Sequence, residues 1–329
     1  MILIIMTKAI RIYETGKPNV MKFEDIELKK LSANEVLIKN KSIGLNYIDT
    51  YHRTGLYPLP LPTGIGLEAA GVIEEVGSDV KEFKVGDRVA HAAAPPGAYS
   101  EKQVYPQEKI VKIPDFITDE IASVLMLKGV TCEYLLHRAY KVKKDQFILF
   151  HAAAGGVGQV FGQWAKSLGC KTIGTVSSDE KAKIAKENGF DYVINYSKEK
   201  FSDKVKEITN GKMLDVVYDG VGQKTFDESI DCLAVRGTLV SFGSASGPVL
   251  NIDPKKHMQP KGIFITRPSI AHYTVTRQEL TEASNTVFQA VKNNKFKIKV
   301  FKRYALKDAV LAHEELEARK LLGPAVLIP

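Results

Sequence analysis

A short apolar run that ends in a cluster of small residues lies near the middle of the chain, at residues 147–158. Apolar residues at helical spacing follow over residues 159–168, so the pattern predicts a strand, a tight turn and a helix. Ala153, Gly155 and Gly158 align with the three small positions of the dinucleotide-binding fingerprint, with alanine replacing the first glycine. Gly155 would let the backbone approach a pyrophosphate, and Gly158 would let the helix pack close to the strand. Because small residues also form turns that bind nothing, this assignment depends on its context.

That context is a repeated alternation of strand-like and helix-like segments. Helical-period segments separate the strand-like ones, and four of them end at a glycine: Gly169, Gly189, Gly211 and Gly237. Glycine suits the left-handed residue that closes a helix. The alternation predicts an α/β fold with a doubly wound parallel sheet, whose ligand binds beyond the carboxyl ends of the strands. The further predicted strands are residues 171–176, 191–194, 214–218, 238–242 and 263–265.

Length and composition set the broad class. A chain of 329 residues suggests about two domains, and 44% hydrophobic with 26% charged residues is typical of a soluble globular protein. The opening residues 1–5 are too short for the apolar part of a signal sequence, and we expect them to precede a start at Met6 rather than to lead the first strand. Three distant cysteines, Cys132, Cys170 and Cys232, favour a reducing cytoplasm.

The formal net charge of +8 has two interpretations. It could mark a nucleic-acid surface, or it could keep the protein soluble and attract an anionic cofactor. Lysines are spread along the chain without regularly interleaved aromatic residues, as at residues 198–206 and 292–302. This spread favours solvated faces over nucleic-acid binding, without excluding it.

The segments that flank the central region have a different sequence pattern. Short extended runs broken by glycine and proline predict a small β-rich, barrel-like domain before residue 122. A helical stretch, 118–140, leads into the nucleotide domain, and a tail with helix-like 277–293, extended 297–304, a segment 306–319 and apolar 325–328 returns to the first domain. We therefore predict a nucleotide-binding domain at 130–270, inserted in a catalytic domain of residues 1–129 and 271–329. The short runs are 7–13, 35–39, 70–76, 87–90 and 109–112.

Several motifs carry a resemblance to a known superfamily. GLNYIDTY at 44–51, GLEAAGV at 66–72, VGDRV at 85–89 and AAAGGVG at 152–158 are similar to the medium-chain dehydrogenase/reductase superfamily. Within it, the chain resembles bacterial NADPH:quinone oxidoreductases, the zeta-crystallin-like branch. The resemblance implies a GroES-like β-rich catalytic domain, a Rossmann domain, a homodimer, and substrate in the cleft between the domains. The motifs of this branch are 55–57, 127–129, 193–196, 240–243 and 266–269.

The same comparison predicts no metal. Relatives with a catalytic zinc carry a cysteine near the first motif and a histidine in a Gly-His-Glu motif, whereas this chain has Asn46 and Leu67 there. Zinc needs three or four convergent N, S or O donors, and leucine offers none. Without zinc, the favoured chemistry is reduction of a quinone or conjugated enone, because the product phenolate or enolate is already stabilised. The protein then positions donor and acceptor and offers hydrogen bonds to the developing oxyanion.

The residues after the second strand bear on the choice of cofactor. An NAD-preferring domain usually has an acidic side chain at this strand end, whereas Ser177 and Ser178 follow the strand here. We interpret Ser177 and Glu180 as a capping box at the start of the next helix.

The resemblance instead implies phosphate contacts from Lys181 and Tyr196, with Arg319 as a further contact, so we expect NADPH rather than NADH. Lys128 resembles a contact on the ribose side of the nicotinamide. The other expected cofactor contacts are Tyr47, Ala154, Gly155, Gly156, Val157, Gly158, Ser177, Phe242, Gly243, Ser244, Phe264 and Thr266.

For the substrate, the resemblance implies Asn46, Tyr51, Tyr57 and Arg267, with Asp49 supporting them. These side chains can donate hydrogen bonds toward a quinone oxygen, and the tyrosines can flank a flat ring. The alternative is that the tyrosines pack the domain and that Asn46 is a turn residue.

Three functions therefore stay open at this stage. The first is NADPH-dependent, zinc-independent reduction of small quinones, by hydride or by single electrons. The second is an NADPH-dependent alkenal or enone reductase of the same superfamily. The third, of another class, is an RNA-binding protein, since relatives of the zeta-crystallin branch bind RNA and the positive charge permits it.

Overall fold

The computed structural model describes residues 5–329, which form sixteen strands and eight α-helices. The strands are β1 Met6–Ile12, β2 Lys22–Glu27, β3 Glu35–Leu45, β4 Thr63–Gly64, β5 Glu68–Val76, β6 Arg88–Ala92, β7 Lys102–Pro106, β8 Val111–Lys112, β9 Phe147–His151, β10 Lys171–Val176, β11 Tyr192–Asn195, β12 Leu214–Asp219, β13 Leu233–Ser241, β14 Phe264–Thr266, β15 Lys302–Ala305 and β16 Ala325–Ile328. The helices are α1 Tyr47–Thr54, α2 Asp119–Tyr134, α3 Gly156–Ser167, α4 Asp179–Glu187, α5 Phe201–Ile208, α6 Phe226–Asp231, α7 Arg277–Lys292 and α8 Ala309–Glu317.

These elements belong to two compact units. One unit contains the described residues up to Leu127 together with Thr274–Ser284 and Ile298–Pro329, and the other contains Lys128–Tyr273 and Asn285–Lys297. The expectation about a start at Met6 concerns residues 1–5, of which 1–4 lie outside the described part. The Ile5 carbonyl accepts the Leu28 N–H at 2.9 Å.

The second unit is built on a six-stranded sheet in the order β11-β10-β9-β12-β13-β14, and all of its neighbouring strands are parallel. The chain leaves β9 in one direction to β10 and β11, and then returns to the other side for β12, β13 and β14. This order is the Rossmann arrangement, and it confirms the predicted doubly wound sheet. A core with Leu149, Ile173, Val217 and Leu239 fills one layer between the sheet and its helices.

Glycines end two of the helical segments as predicted. Gly169 and Gly189 follow the last residues of α3 and α4 with φ of 82° and 93°, the left-handed region that glycine enters without steric cost. After α5 the left-handed residue is Asn210, with φ 51°, and Gly211 comes one residue later with φ 77°. The fourth prediction is wrong, because Gly237 lies inside β13 and the positive φ falls on Arg236, at 62°. Gly237 serves close packing instead, since a Cβ there would lie 3.0 Å from the backbone oxygen of Leu214.

The first unit is β-rich. A seven-stranded sheet runs β15-β16-β3-β5-β6-β8, with β7 also paired to β3, and a smaller sheet runs β2-β1-β4. The tail takes part in the larger sheet, because β16 pairs antiparallel with β3. The extended segment predicted at 297–304 forms a strand only over Lys302–Ala305. Among residues 5–329 no helix is both long and apolar enough to cross a bilayer.

Candidate active site

The turn after β9 holds the helix α3 close to the sheet. Ala152 adopts a positive φ of 58°, and Gly155 is the extended residue that precedes α3. A Cβ on Gly158 would lie 2.5 Å from the Ala153 carbonyl oxygen, so only glycine fits. The first N–H groups of α3 have no partner within the helix, and together with the helix dipole they favour an anion at this point. The turn therefore fits the pyrophosphate of a dinucleotide.

A buried hydrogen-bond network ties the strand ends together beneath this turn. His151, the last residue of β9, lies 2.7 Å from the Thr175 hydroxyl through Nδ1 and 2.9 Å from the Ser229 hydroxyl through Nε2. The Ser229 hydroxyl lies 3.3 Å from the Asp219 carboxylate at the end of β12. Burial lowers the pKa of His151, which keeps the ring neutral. His151 and Ser229 are both fully buried, so this serine, histidine and acid form an internal brace and no exposed nucleophile.

Three of the predicted cofactor contacts lie on the segments that follow β10 and β11. Ser177 follows β10, and the Tyr196 N–H donates to the carbonyl of Val176 at 3.1 Å, so the residues after β10 and β11 are side by side. Lys181 lies in the first turn of α4. Ser177 and Lys181 are half-buried, and Tyr196 is exposed. This edge of the sheet thus carries hydroxyl and ammonium groups suited to a phosphate.

The capping box predicted for Ser177 and Glu180 is wrong by one residue. The residue before α4 is Ser178, and its hydroxyl accepts the Lys181 N–H at 3.3 Å. Ser178 has the extended backbone of an N-cap, with φ −156° and ψ 161°, which aims its side chain at the helix. Ser177 is therefore not used as the cap of α4.

The nearest acid after β10, Asp179, is bound by its own neighbours. Its carboxylate accepts hydrogen bonds from Asn195 Nδ2 at 2.9 Å and from Lys198 Nζ at 2.5 Å. These two bonds hold the pKa of Asp179 below its usual value. Its oxygens are thus engaged toward β11, whereas an NAD-preferring site would direct an acid to the ribose hydroxyls.

The ends of β13 and β14 hold further predicted residues. Arg267 follows Thr266, and its guanidinium donates to the Ser241 carbonyl at 2.9 Å and to the Ser244 hydroxyl at 3.1 Å. Two contacts fix the plane of this exposed guanidinium. Phe264, at the other end of the short β14, is 61% exposed.

Close backbone packing surrounds the rest of this edge, since a Cβ on Gly243 would lie 2.3 Å from the Gly220 carbonyl oxygen. Phe242, Gly156 and Val157 are half-buried, whereas Ala154 and Lys128 are buried.

In the first unit, Asn46 begins helix α1. Its backbone N–H donates to the Asp49 carboxylate at 2.9 Å, and the two residues form a capping box. The Asn46 amide Nδ2 donates to Glu68 Oε2 at 2.8 Å, while Glu68 Oε1 accepts the Leu127 N–H at 2.7 Å. Asn46, Asp49 and Glu68 are all buried, so the start of α1 is held from two sides.

Three tyrosines form a row along α1 and the turn after it. The rings of Tyr47 and Tyr51 meet edge to face at 5.6 Å between centroids, and those of Tyr51 and Tyr57 at 5.1 Å. Gly55, with φ 81°, ends the helix and turns the chain so that the Tyr57 N–H reaches the Tyr51 carbonyl at 3.1 Å. All three rings are half-buried, so each keeps an accessible part. Such a row offers an aromatic surface to a flat molecule.

Arg319 lies just after α8 and has a positive φ of 58°. It is exposed, and its charge acts on Tyr47, where burial raises the pKa of the hydroxyl and Arg319 opposes that rise. Tyr47 and Arg319 are the two predicted cofactor contacts that lie in the first unit.

The positions that carry zinc ligands in other relatives hold different residues in this chain. Leu67 is buried, and Asn46 is bound to Glu68. Within residues 5–329 no group of three His, Cys, Asp or Glu side chains has the arrangement that a metal ion needs.

Sequence reasoning missed α1 and several groups that hold it. The signal for the helix was present, because Asn46 and Asp49 have the spacing of a capping box. Glu68, Tyr99 and His313 carried no such local signal, since their partners are remote in sequence.

Comparisons with known proteins agree with this geometry. The family model of the alcohol dehydrogenase GroES-like domain matches residues 32–144, and that of zinc-binding dehydrogenases matches residues 156–290. A quinone oxidoreductase of Pseudomonas aeruginosa is 47% identical, over 98% of this chain and 100% of that protein. A 2-haloacrylate reductase of a Burkholderia species is 42% identical, over 98% of this chain and 99% of that protein.

The crystal structure of Escherichia coli quinone oxidoreductase complexed with NADPH has a TM-score of 0.96 and 46% identity, over 98% of this chain and 100% of that chain. The first unit is therefore a GroES-like domain, as predicted, and the second is a Rossmann-type unit. The chain belongs to the quinone oxidoreductase family of the medium-chain dehydrogenase/reductase superfamily.

Proposed function

We propose that this protein reduces small quinones with electrons from NADPH. The observation that carries the proposal is the pair of strand ends after β10 and β11, where Ser177, Lys181 and Tyr196 offer hydroxyl and ammonium groups while Asp179 is bound to Asn195 and Lys198. This arrangement suits a ribose phosphate better than free ribose hydroxyls. Full-length relatives named quinone oxidoreductase support the same activity.

Within this proposal, residues 130–270 bind the cofactor, and residues 1–129 with 271–329 form the catalytic domain. Gly155, Gly156 and the first turn of α3 bind the pyrophosphate, and Lys181 and Tyr196 bind the 2′-phosphate with Ser177 and Arg319. When bound, NADPH would supply the two electrons. The remaining contacts predicted for it are Tyr47, Lys128, Ala154, Val157, Gly158, Phe242, Gly243, Ser244, Phe264 and Thr266.

The proposed substrate contacts are Asn46, Tyr51, Tyr57 and Arg267. Tyr51 and Tyr57 present ring edges to a planar acceptor, and Arg267 provides a positive charge for the oxyanion that develops on it. Asp49 is fully buried, so it supports Asn46 rather than meeting the substrate. Reduction of a quinone to a hydroquinone takes two electrons and two protons, and delivery as one hydride or as single electrons satisfies this balance equally.

The direct test is anaerobic NADPH oxidation with a panel of quinones and a matched panel of conjugated enones. The proposal predicts turnover of the quinones. A second candidate, an alkenal or enone reductase, is favoured by the relative named 2-haloacrylate reductase, whose substrate name indicates an activated carbon–carbon double bond. Turnover of enones alone would replace the first proposal by the second.

We also propose a homodimer in the cytoplasm. β14 is the last strand of the parallel sheet, so its outer backbone groups have no strand partner among residues 5–329, and such an edge pairs readily with another chain. The three cysteines are buried and none is in a disulfide, as a reducing compartment favours. Sedimentation analysis should give twice the 36.4 kDa of one chain, and a monomer mass would refute the dimer. Cell fractionation tests the location.

A further inference from the structure

A line of buried polar groups in the first unit runs from helix α1 through Tyr99 to helix α8 and returns to α1. The Tyr99 hydroxyl lies 2.9 Å from Asp49 Oδ2 and 3.0 Å from His313 Nε2. On its other side, His313 Nδ1 lies 3.1 Å from Arg53 Nη1. Asp49, Tyr99 and His313 are 0% exposed and Arg53 is 1% exposed. These four side chains, which we call the buried line, come from α1, the segment after β6, and α8.

The donors and acceptors of the buried line can be assigned by elimination. A guanidinium only donates, so Nδ1 of His313 accepts from Arg53. The proton of the neutral ring is then on Nε2, which donates to the Tyr99 oxygen. The Tyr99 hydroxyl is therefore left to donate to the Asp49 carboxylate. Burial and the Arg53 charge lower the pKa of His313 to about 3, which keeps the ring in this neutral form.

Arg53 anchors the far end of the line. Its guanidinium forms two bonds with the Glu317 carboxylate, at 2.7 Å and 3.0 Å, and a third with the Gly16 carbonyl at 3.1 Å. These three hydrogen bonds hold the guanidinium in the orientation that also meets His313. The whole line is thus held in one direction, from Arg53 toward Asp49.

The near end of the line is the first turn of α1. Asp49 Oδ2 accepts both the Tyr99 hydroxyl and the Asn46 backbone N–H, so it joins the line to the residue that begins the helix. The Asn46 amide is held independently by Glu68. Asn46 is therefore fixed through its backbone by the buried line and through its side chain by Glu68.

Stability alone does not explain why these four polar side chains are buried together. Replacing buried polar groups with well-packed apolar ones is often neutral or stabilising, whereas leaving one member unpaired is costly. A buried line whose hydrogen bonds all point one way instead fixes one geometry, as hydrogen-bond networks do around reacting groups.

We propose that Tyr99 and His313 are positioning residues, which act through Asp49 to set Asn46 at the start of α1 for reduction of the acceptor. This inference rests on the proposed function for the role of Asn46. Because His313 lies on α8, the inference gives this carboxy-terminal helix a part in the reaction. Asn46 lies 267 positions earlier in the sequence.

A double-mutant cycle tests the proposal. Tyr99→Phe keeps the ring and removes the hydroxyl, and we expect it to lower kcat about tenfold while the KM for NADPH changes less than about twofold. In an Asn46→Ala background the same substitution should change kcat by less than about twofold, because the residue through which it acts is gone. Equal effects of Tyr99→Phe in both backgrounds would overturn the proposal.

A matched control comes from Tyr105, which is also buried and donates its hydroxyl to a single backbone oxygen, that of Ala93. Tyr105→Phe should cost similar stability and leave kcat unchanged. A loss of kcat equal to that of Tyr99→Phe would show that any buried hydroxyl matters, and would also overturn the proposal.

Two variants at His313 provide a rescue test. A glutamine amide can accept from Arg53 and donate to Tyr99, whereas leucine can do neither. His313→Gln should therefore keep more kcat than His313→Leu at equal folded fraction. If the leucine variant is as active as the glutamine variant, the directional line has no role.

Hydrogen exchange separates this inference from the proposed function. In the protein without cofactor or substrate, Tyr99→Phe should speed exchange of the amides of residues 46–50, and Tyr105→Phe should not. If the wild type reduces no quinone, the proposed function fails while this readout still reports on the line. Unchanged exchange in the Tyr99→Phe protein would overturn the positioning role by itself.

Discussion

Asn46 donates its amide Nδ2 to Glu68 Oε2 at 2.8 Å, in a pocket where the other Glu68 oxygen receives the Leu127 N–H at 2.7 Å. A carboxylate can accept from both donors at once, because it has no hydrogen of its own. Glu68 thus ties the residue that begins α1 to β5. A side chain with a hydrogen-bond donor in place of either oxygen could not accept both bonds.

Glu68→Gln should therefore be costly despite its similar shape. The glutamine NH₂ would face either Asn46 or the Leu127 N–H, and one buried donor would lose its acceptor. We expect the free energy of unfolding to fall by about 1–3 kcal/mol in urea titrations, with a lower kcat for quinone. Glu75→Gln, on an exposed position of the same strand, should change the unfolding free energy by less than about 0.5 kcal/mol. Equal small effects of the two substitutions would refute this role for Glu68.

The role of Lys181 is tested by comparing the two nucleotides. Lys181→Ala should raise the KM for NADPH about tenfold or more and leave the KM for NADH nearly unchanged, because only NADPH carries the phosphate. Lys183→Ala, an exposed lysine on the same helix, is the matched control and should change neither value. An equal effect of Lys181→Ala on both nucleotides would show that this lysine does not contact the phosphate.

Substitution of Asp179 should change the KM for NADPH less than substitution of Lys181 does, and in the opposite direction. Its carboxylate is exposed and neutralised by Lys198, so Asp179→Asn should lower the KM for NADPH by about twofold at low salt. The gain should vanish as ionic strength rises, since exposed charges are screened. A higher KM for NADPH in this variant would indicate that Asp179 instead helps to bind the cofactor.

Two buried histidines should make stability depend on pH. Burial lowers the pKa of His91 and of His313 to about 3, whereas an unfolded histidine titrates near about 6.5. Each ring is neutral in the fold and takes up a proton only on unfolding, so the unfolded chain gains protons as the pH falls. Stability should therefore drop by about 2 kcal/mol per histidine between about pH 7.5 and pH 5.

Urea midpoints measured across this range check the prediction. His91→Gln should lower stability at neutral pH and show a shallower decline toward pH 5, because one of the protonating groups is gone. A wild-type midpoint that stays constant between these pH values would contradict the neutral buried state of both histidines.

The local parts of the fold follow from the sequence because their signals are local. Gly169 and Gly189 close their helices as predicted, and the small residues at 152–158 form the expected turn. Gly237 was predicted wrongly, because the sequence does not distinguish a glycine that is needed for close packing inside a strand from one that ends a helix. Ser177 and Ser178 are adjacent, and only backbone geometry distinguishes which of them caps α4.

The long-range parts of the site do not follow from the sequence. Tyr99 meets Asp49 and His313 across 50 and 214 positions, and no periodicity or spacing connects residues so far apart. His313 is fully buried and hydrogen-bonded. The return of the tail to the first domain was expected from the sequence, but the side chains that His313 meets there depend on tertiary packing, which no local pattern encodes.

The most direct test of the account is the steady-state rate of NADPH oxidation by a small quinone, measured under nitrogen on protein dialysed against a strong chelator. We predict that kcat/KM with NADPH exceeds that with NADH by about tenfold or more, and that chelation leaves both values unchanged. Protein that oxidises neither nucleotide with any quinone, or that regains activity only when zinc is returned, would contradict it.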